Sequence, residues 1–338
     1  MIKIGIVGIT GFTGFELFKV LALHKGVEIT YLASRSAAGK RLKEIFPQLN
    51  STAQIEEIDI ERINGLDAVF LALPHTVSME VAKAVKNHVR IIDLSADFRL
   101  KDPAVYERFY KKPHTATELL KTAVYGLPEI NKEKISKARI VANPGCYATS
   151  AILGIAAFLP YIETDSIIVD SKSGVSGAGR GVKEHLQFCE VNENFYAYSI
   201  ARHRHTPEIE STLSELSGKP VNITFSPHLL PIQRGILSTI YATLTQNLSL
   251  EKLYDRLNQF YSKAPFVRIK RHLPQIKEVS RTNYCDIGIE LDIRNNRIII
   301  VSVLDNLVKG ASGQAVQNFN IMFGFNEEEG LGIPAGYP

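Results

Sequence analysis

Cysteine is scarce in this chain. Its 338 residues include only Cys146, Cys189 and Cys285, an odd number at wide spacing with no C-x-x-C pair. Neither a disulfide framework nor a zinc knuckle is readable, no metal site is expected, and a reducing compartment is implied. Long apolar runs are also missing. The longest, Ala148 to Ile162, is broken by Thr149, Ser150, Gly154 and Pro160 and falls short of the roughly 20 residues of a membrane span. Runs of one charge are absent too: Lys plus Arg number 39 against 35 Asp plus Glu, a net charge of +4. The densest positive stretch, Arg202 to His205, lacks the long basic stripe with interleaved aromatics of a nucleic-acid binder. No internal repeat, low-complexity tract or linker is visible. A first strand starting at Ile2, with its glycine loop at Gly8, leaves no room for a leader, so a cytoplasmic location is expected. The glycosylation-like triplets at Asn50, Asn222 and Asn247 then read as chance.

What is present is ordinary globular protein, with 45% hydrophobic and 22% charged residues. The length suggests about two domains. Ile2 to Val7 reads as a strand, Gly8 to Gly14 as a turn, the stretch to His24 as an amphipathic helix and Val27 to Ala33 as a second strand. The alternation continues with a strand at Asp67 to Leu73, a helix from Val77 to about His88, and strands at Val89 to Leu94 and Arg139 to Ala142. Short apolar runs alternating with helical ones predict a parallel sheet with right-handed crossovers. Past Cys146 the runs lengthen: Ser166 to Asp170, Asn222 to Phe225, Gly235 to Leu244, Asp286 to Ile293 and Arg297 to Val303. One clear helix, about Leu250 to Lys263, interrupts them. That texture predicts a largely antiparallel or mixed sheet. Gly313 to Phe323 then reads as helix. The fold class is α/β, a Rossmann-like dinucleotide-binding domain followed by an α+β domain.

Gly8, Gly11 and Gly14 lie between a strand and a helix start, where backbone N–H groups and the helix dipole can hold a pyrophosphate. The spacing is G-x-x-G-x-x-G, and a tight turn without ligand is the plainer alternative. At the end of the second strand an acid would accept from the ribose of NAD. Ser34, Arg35 and Ser36 stand there instead, with Lys40 and Arg41 nearby. A guanidinium flanked by hydroxyls suits a 2'-phosphate, which selects NADP over NAD. Solvated loop charges are the competing reading.

Asn143-Pro-Gly-Cys146 follows a strand and precedes a helical stretch. Cys146 is therefore expected at a helix N-terminus, where unpaired N–H groups favour thiolate; a buried inert cysteine is the alternative. A thiol nucleophile needs a proton partner with a pKa near neutrality, and Arg202-His-Arg-His205 offers two. His203 and His205 would share one face of a strand, which also allows a metal pair, although no third ligand is recognisable. His24, His88 and His272 read as surface residues. Asp170 to Arg180 is rich in Gly and Ser and reads either as an anion-holding loop or as a flexible connector. Arg99, after the strand ending near Leu94, reads as a phosphate or carboxylate grip or as half of an internal ion pair.

An ordered set of strings resembles the N-acetyl-γ-glutamyl-phosphate reductases of the wider semialdehyde dehydrogenase family. They are Gly8 to Gly14, Ala33 to Ser36, Asp93 to Arg99, Tyr125 to Glu129, Val141 to Thr149, Ser171 to Gly179, His203 to Ile209, Pro227 to Gly235 and Val303 to Ala315, and together they cover almost the whole chain. The resemblance implies NADPH-dependent reduction of an acyl phosphate through a cysteine thioester, in the third step of arginine biosynthesis. It implies Cys146 as nucleophile and His205 as general acid/base, with His203 less favoured. Cofactor contacts are implied at Gly8, Thr10, Gly11, Phe12, Thr13, Gly14, Ser34, Arg35, Ser36, Pro74, Ser176, Gly177, Asn306 and Gly310. Substrate contacts are implied at Arg99, Asn143, Ser173, Gly174 and Arg202. The expected domains are residues 1–145, completed by 307–338, for the dinucleotide, and 146–306 for catalysis and dimerisation. A homo-oligomer, dimer or tetramer, follows, acting on a small molecule with no nucleic-acid or membrane partner. Within the same chemistry the runner-up is an aminoadipyl phosphate, carried or not on a small acidic protein, as in lysine biosynthesis. From another class, a non-catalytic NADP-binding regulator would lack the cysteine or histidine that this chain has.

Overall fold

Six short strands, mostly apolar, form the first sheet. In the computed structural model, which describes residues 1–336, these are β1 (Ile2–Val7), β2 (Val27–Ala33), β3 (Ala68–Leu71), β4 (Arg90–Asp93), β5 (Val124–Tyr125) and β6 (Ile140–Ala142). They lie in the order β2-β1-β3-β4-β6-β5, all parallel. Every residue of β3 and β6 is buried, as a sheet covered by helices on both faces requires. The sheet is Rossmann-like: the chain crosses from β1 through the helix Phe12–Leu21 to the neighbouring strand β2.

The second sheet has seven strands in the order β11-β12-β13-β10-β7-β9-β8. They are β7 (Ile167–Gly174), β8 (Tyr196–Ala197), β9 (Ile223–Leu230), β10 (Ile236–Thr243), β11 (Val267–Ile269), β12 (Cys285–Asp292) and β13 (Arg297–Leu304). The sheet is mixed, with β7 parallel to β9, β11 parallel to β12, and the remaining neighbours antiparallel. Alternate residues of β10 are buried, which gives the sheet one covered face. The helix Cys146–Ile155 lies on that face. Gly154 lets it approach, since a methyl there would stand 2.7 Å from Ile240 Cδ1.

Beneath this helix runs a buried row of hydroxyls. Ser171, Ser238 and Ser302 face one another across β7, β10 and β13. Ser171 and Ser238 share a 2.7 Å hydrogen bond, and Ser150 of the helix donates to Ser238 Oγ at 2.9 Å. Satisfied buried polar groups of this kind specify one packing arrangement rather than many.

The chain divides into two units: Met1–Pro144 with Ala311–Gly332, and Gly145–Gly310 with 333–336. The boundaries read from sequence were 145/146 and 306/307, and residues 333–336 group with the second unit instead of the first. Tyr337 and Pro338 of the expected 307–338 segment lie outside the described residues. The helix Gly313–Phe323 is buried nearly all round. Polar side chains of this helix bond within the first unit: Asn318 donates to Gly126 O at 2.8 Å, and Gln317 to Glu327 Oε2 at 3.0 Å.

Three readings need correction. Ser171–Gly174 continues β7 rather than forming a loop, and the Gly/Ser run turns only at Val175–Ala178. A second helix, Thr206–Ser217, follows the histidine pair, so His203 and His205 do not share a strand face. His24 is buried, with Nε2 2.9 Å from Asn320 Oδ1, because the Gly313–Phe323 helix packs over it. Among the described residues no helix is long and apolar enough to cross a membrane, and no group of three or more His, Cys, Asp or Glu is placed to hold a metal ion.

Gly8 adopts a φ of 95°, and a methyl on it would stand 2.1 Å from the Ala72 carbonyl oxygen. Both the strain and the clash predict that Gly8→Ala destabilises the protein by about 3 kcal/mol. Urea unfolding measures it, and an unchanged midpoint would contradict this packing.

Candidate active site

Cys146 is the first residue of the Cys146–Ile155 helix, with Gly145 as N-cap in extended conformation. The glycine N-cap has no side chain of its own to offer, and no acid lies in the first turn. The positive end of the helix dipole meets a half-buried thiol. His205 is itself an N-cap, of the helix Thr206–Ser217, with Pro207 near its start. Its imidazole lies over Gly145: a methyl there would stand 2.3 Å from Nε2. Only glycine next to Cys146 leaves room for the ring.

His203 serves differently. Its Nδ1 accepts the His205 backbone N–H at 3.1 Å. Its ring is enclosed by Tyr147, Tyr198 and Phe225 at centroid distances of 5.6, 5.7 and 5.3 Å. Burial, aided by the Arg204 charge, pushes its pKa down to about 4. A ring that is neutral at pH 7 with Nδ1 already engaged is a poor proton carrier. Tyr198 donates to the Tyr147 hydroxyl, which donates to His228 O, both at 3.1 Å. Burial pushes the Tyr198 phenol up to about 12 and that of Tyr147 higher still. These phenols stay protonated through the neutral range.

Gly310 backs Cys146 from the π-helical turn Val308–Ser312, where a methyl would stand 2.7 Å from Cys146 Cβ. Asn306 is buried, accepting from Gly235 N–H at 2.7 Å and donating to Ser176 Oγ at 3.0 Å. Gly177 lies beside it, with a methyl position 3.2 Å from Ser173 Oγ and 3.6 Å from Asn306 Nδ2. Gly174 packs against the Arg234 backbone. Ser173, Gly174, Ser176, Gly177 and Asn306 thus form one cluster. Arg202 sits exposed in a turn, its backbone N–H bonded to Ser199 O at 3.0 Å.

Within the first unit the glycine loop is shaped for an anion. A methyl on Gly14 would stand 2.3 Å from Gly8 O, whereas one on Gly11 would meet nothing nearer than Gly8 O at 3.6 Å. Gly14 is therefore required by packing, while Gly11 leaves open space before the N-terminus of Phe12–Leu21, which has no side-chain cap among the described residues. That space suits a pyrophosphate. Thr10 Oγ1 lies 2.9 Å from Ser34 Oγ, and Ser34 Oγ lies 3.2 Å from Ser36 Oγ. Thr13 O accepts from Ser312 Oγ at 2.9 Å. Arg35 is exposed and lines a cleft of about 510 Å³ with Glu57, Ile58, Val77 and Glu80. The basic group there shares its cleft with two acids. Pro74 is exposed just after β3. Arg99 donates through Nε to Asn143 O at 2.9 Å and through Nη2 to Leu94 O at 3.0 Å. Asn143 is buried, donating to Ala311 O at 3.0 Å. The guanidinium thus ties together the loops after β4 and β6, a role that neither sequence reading of Arg99 included.

Glu208 escaped the sequence reading. Its Oε1 accepts the Gly145 N–H at 2.7 Å in a buried setting. The string His205-Thr-Pro-Glu208 contained the residue, but only the meeting of two distant helix starts gives it a partner.

The lowered pKa of His203 has a definite sign. Between about 4 and 6.5 the unfolded chain binds a proton that the folded ring refuses. The associated stability is complete above about 6.5 and is lost as pH falls toward 4. An NMR titration of the His203 ring protons is expected to show a midpoint near 4, and a midpoint near 6.5 would contradict the enclosed, neutral ring.

Residues 3–138 match the model of the semialdehyde dehydrogenase NAD binding domain, and residues 146–306 that of the semialdehyde dehydrogenase dimerisation domain. The chain is 51% identical over 345 aligned positions to a protein of Pelotomaculum thermopropionicum named N-acetyl-gamma-glutamyl-phosphate reductase, covering 100% of this chain and 99% of that one. A Symbiobacterium thermophilum protein of the same name is 50% identical, with 98% and 97% covered. Among solved structures, aspartate semialdehyde dehydrogenase with NADP from Candida albicans superposes with a TM-score of 0.73 at 16% identity, covering 96% of this chain and 99% of that one. At that identity the likeness is one of fold. The chain is an oxidoreductase and belongs to the semialdehyde dehydrogenase family, in its N-acetyl-γ-glutamyl-phosphate reductase branch.

Proposed function

We propose that the protein reduces N-acetyl-γ-glutamyl phosphate to N-acetylglutamate 5-semialdehyde and phosphate with NADPH, the third step of arginine biosynthesis, in the cytoplasm. The observation that carries this reading is a cysteine at a helix N-terminus beside an imidazole, in a chain half identical over its full length to proteins of that name.

In this mechanism His205 takes the Cys146 proton, and the helix N-terminus holds the resulting thiolate. Sγ attacks the acyl-phosphate carbonyl and the C–O bond to phosphate breaks, leaving a thioester on Cys146. Gly8 to Gly14 with Ser34, Arg35 and Ser36 would hold the dinucleotide, which would supply a hydride equivalent when bound. As the thioester carbon is reduced, negative charge collects on its oxygen, where N–H groups of the helix start and the His205 proton can stabilise it. The C–S bond then breaks, the thiolate returns to Cys146 and the aldehyde leaves. The 2'-phosphate preference rests on Arg35 with its flanking hydroxyls and on the absence of an acid at the end of β2. We assign dinucleotide binding to the first unit, and Ser176, Gly177, Asn306 and Gly310 are further candidate cofactor contacts. Catalysis and self-association into a dimer or tetramer belong to the second unit, and Arg99, Asn143, Ser173, Gly174 and Arg202 are the candidate substrate contacts.

The test is phosphate-dependent reduction of NADP⁺ with N-acetylglutamate semialdehyde, N-acetylaminoadipate semialdehyde and aspartate semialdehyde in parallel. Activity chiefly on the first is expected, abolished by Cys146→Ala and lowered about 100-fold or more by His205→Asn. Preference for another aldehyde would overturn the substrate, and full activity of Cys146→Ala would overturn the mechanism.

A further inference from the structure

Two helix starts meet at the candidate site, and each carries a reacting group. Cys146 opens one helix behind its N-cap Gly145, and His205 is the N-cap of the other. Every helix start has N–H groups that need acceptors. A glutamate in the third position of a helix commonly satisfies its own N-cap N–H, and Glu208 holds that position after His205. Here the His205 N–H goes instead to His203 Nδ1 at 3.1 Å. The Glu208 carboxylate is thereby released to reach across, and Oε1 accepts the N-cap N–H of the other helix, Gly145, at 2.7 Å. Glu208 is 1% exposed, so water does not compete for this bond.

We infer that Glu208 is a positioning residue that clamps the Cys146 helix start to the His205 helix start and so sets the thiol-to-imidazole spacing on which proton transfer depends. An anion between two helix N-termini is favoured by both dipoles, which accounts for a buried carboxylate at this place. His203 belongs to the same device: by accepting the His205 N–H it directs the carboxylate outward. Neighbouring side chains add steric definition, since Gly145 has no space for a methyl beneath His205 and Gly310 has none against Cys146.

The inference rests on the Cys146 mechanism proposed above, and the experiment separates the two. Wild type, Cys146→Ala, Glu208→Gln, Glu208→Ala and Glu208→Asp would be assayed for kcat, KM and the pH dependence of iodoacetamide alkylation at Cys146. Glu208→Gln keeps an oxygen acceptor at the same reach and is expected to retain kcat within about threefold, whereas Glu208→Ala loses about 100-fold in kcat with KM little changed. The alkylation midpoint of Glu208→Ala should lie above that of Glu208→Gln, which removes the same charge, and closer to the roughly 8.5 of a free thiol, a difference that loss of stability alone would not produce. If Glu208→Ala does not fold, Glu208→Asp, one methylene too short to reach Gly145, carries the same expectation. Wild-type kcat and alkylation in both Ala and Asp variants overturn the clamp, as does a loss in Glu208→Gln equal to that in Glu208→Ala. An active Cys146→Ala overturns the underlying mechanism instead.

Discussion

The start of the Cys146–Ile155 helix is the constraint on which the rest of this site depends. A thiol at the first turn of a helix gains from the free N–H groups only while the helix stays in place, because the field falls away within a turn. Several otherwise unrelated features hold it there. Gly154 and the hydroxyl of Ser150 seat its inner face on β10 and β13. Glu208 holds the Gly145 N–H, and Gly310 closes against Cys146 Cβ. Each is a small residue at a close approach or a polar group with a satisfied partner, so each resists sliding more than it adds hydrophobic area.

Electrostatics around this helix start narrows the set of groups that can change charge. His203 is held neutral by burial, and Tyr147 and Tyr198 are held protonated. With those three fixed in the neutral range, the proton exchange proposed above falls to Cys146 and His205. The aromatic enclosure around His203 thus has an electrostatic effect, and it places the acceptor for the His205 N–H at the same time.

Much of this was legible in the sequence, because the signals were local. The strand Ile2–Val7 and the helix Gly313–Phe323 appear with the boundaries that periodicity suggests. Cys146 opens a helix as the Pro144-Gly145 turn implied. What was missed depends on partners far along the chain. The Thr206–Ser217 helix was obscured by Pro207, which reads as a break but is favourable in a first helical turn. Ser171–Gly174 read as loop because serine and glycine are poor strand formers, yet cross-strand hydroxyl bonding keeps them in β7. His24 read as surface because its cover arrives nearly three hundred residues later. Glu208 acquires its role only from the approach of Gly145.

The central claim is that Cys146 is acylated before any reduction occurs. Mixing the protein with N-acetyl-γ-glutamyl phosphate in the absence of dinucleotide, quenching in acid and mapping the adduct by peptide mass spectrometry tests it directly. Stoichiometric phosphate release with the acyl group on the Cys146 peptide, and none in Cys146→Ala, is the expected result. Absence of an adduct, or an adduct on another residue with Cys146 unmodified, would contradict the account.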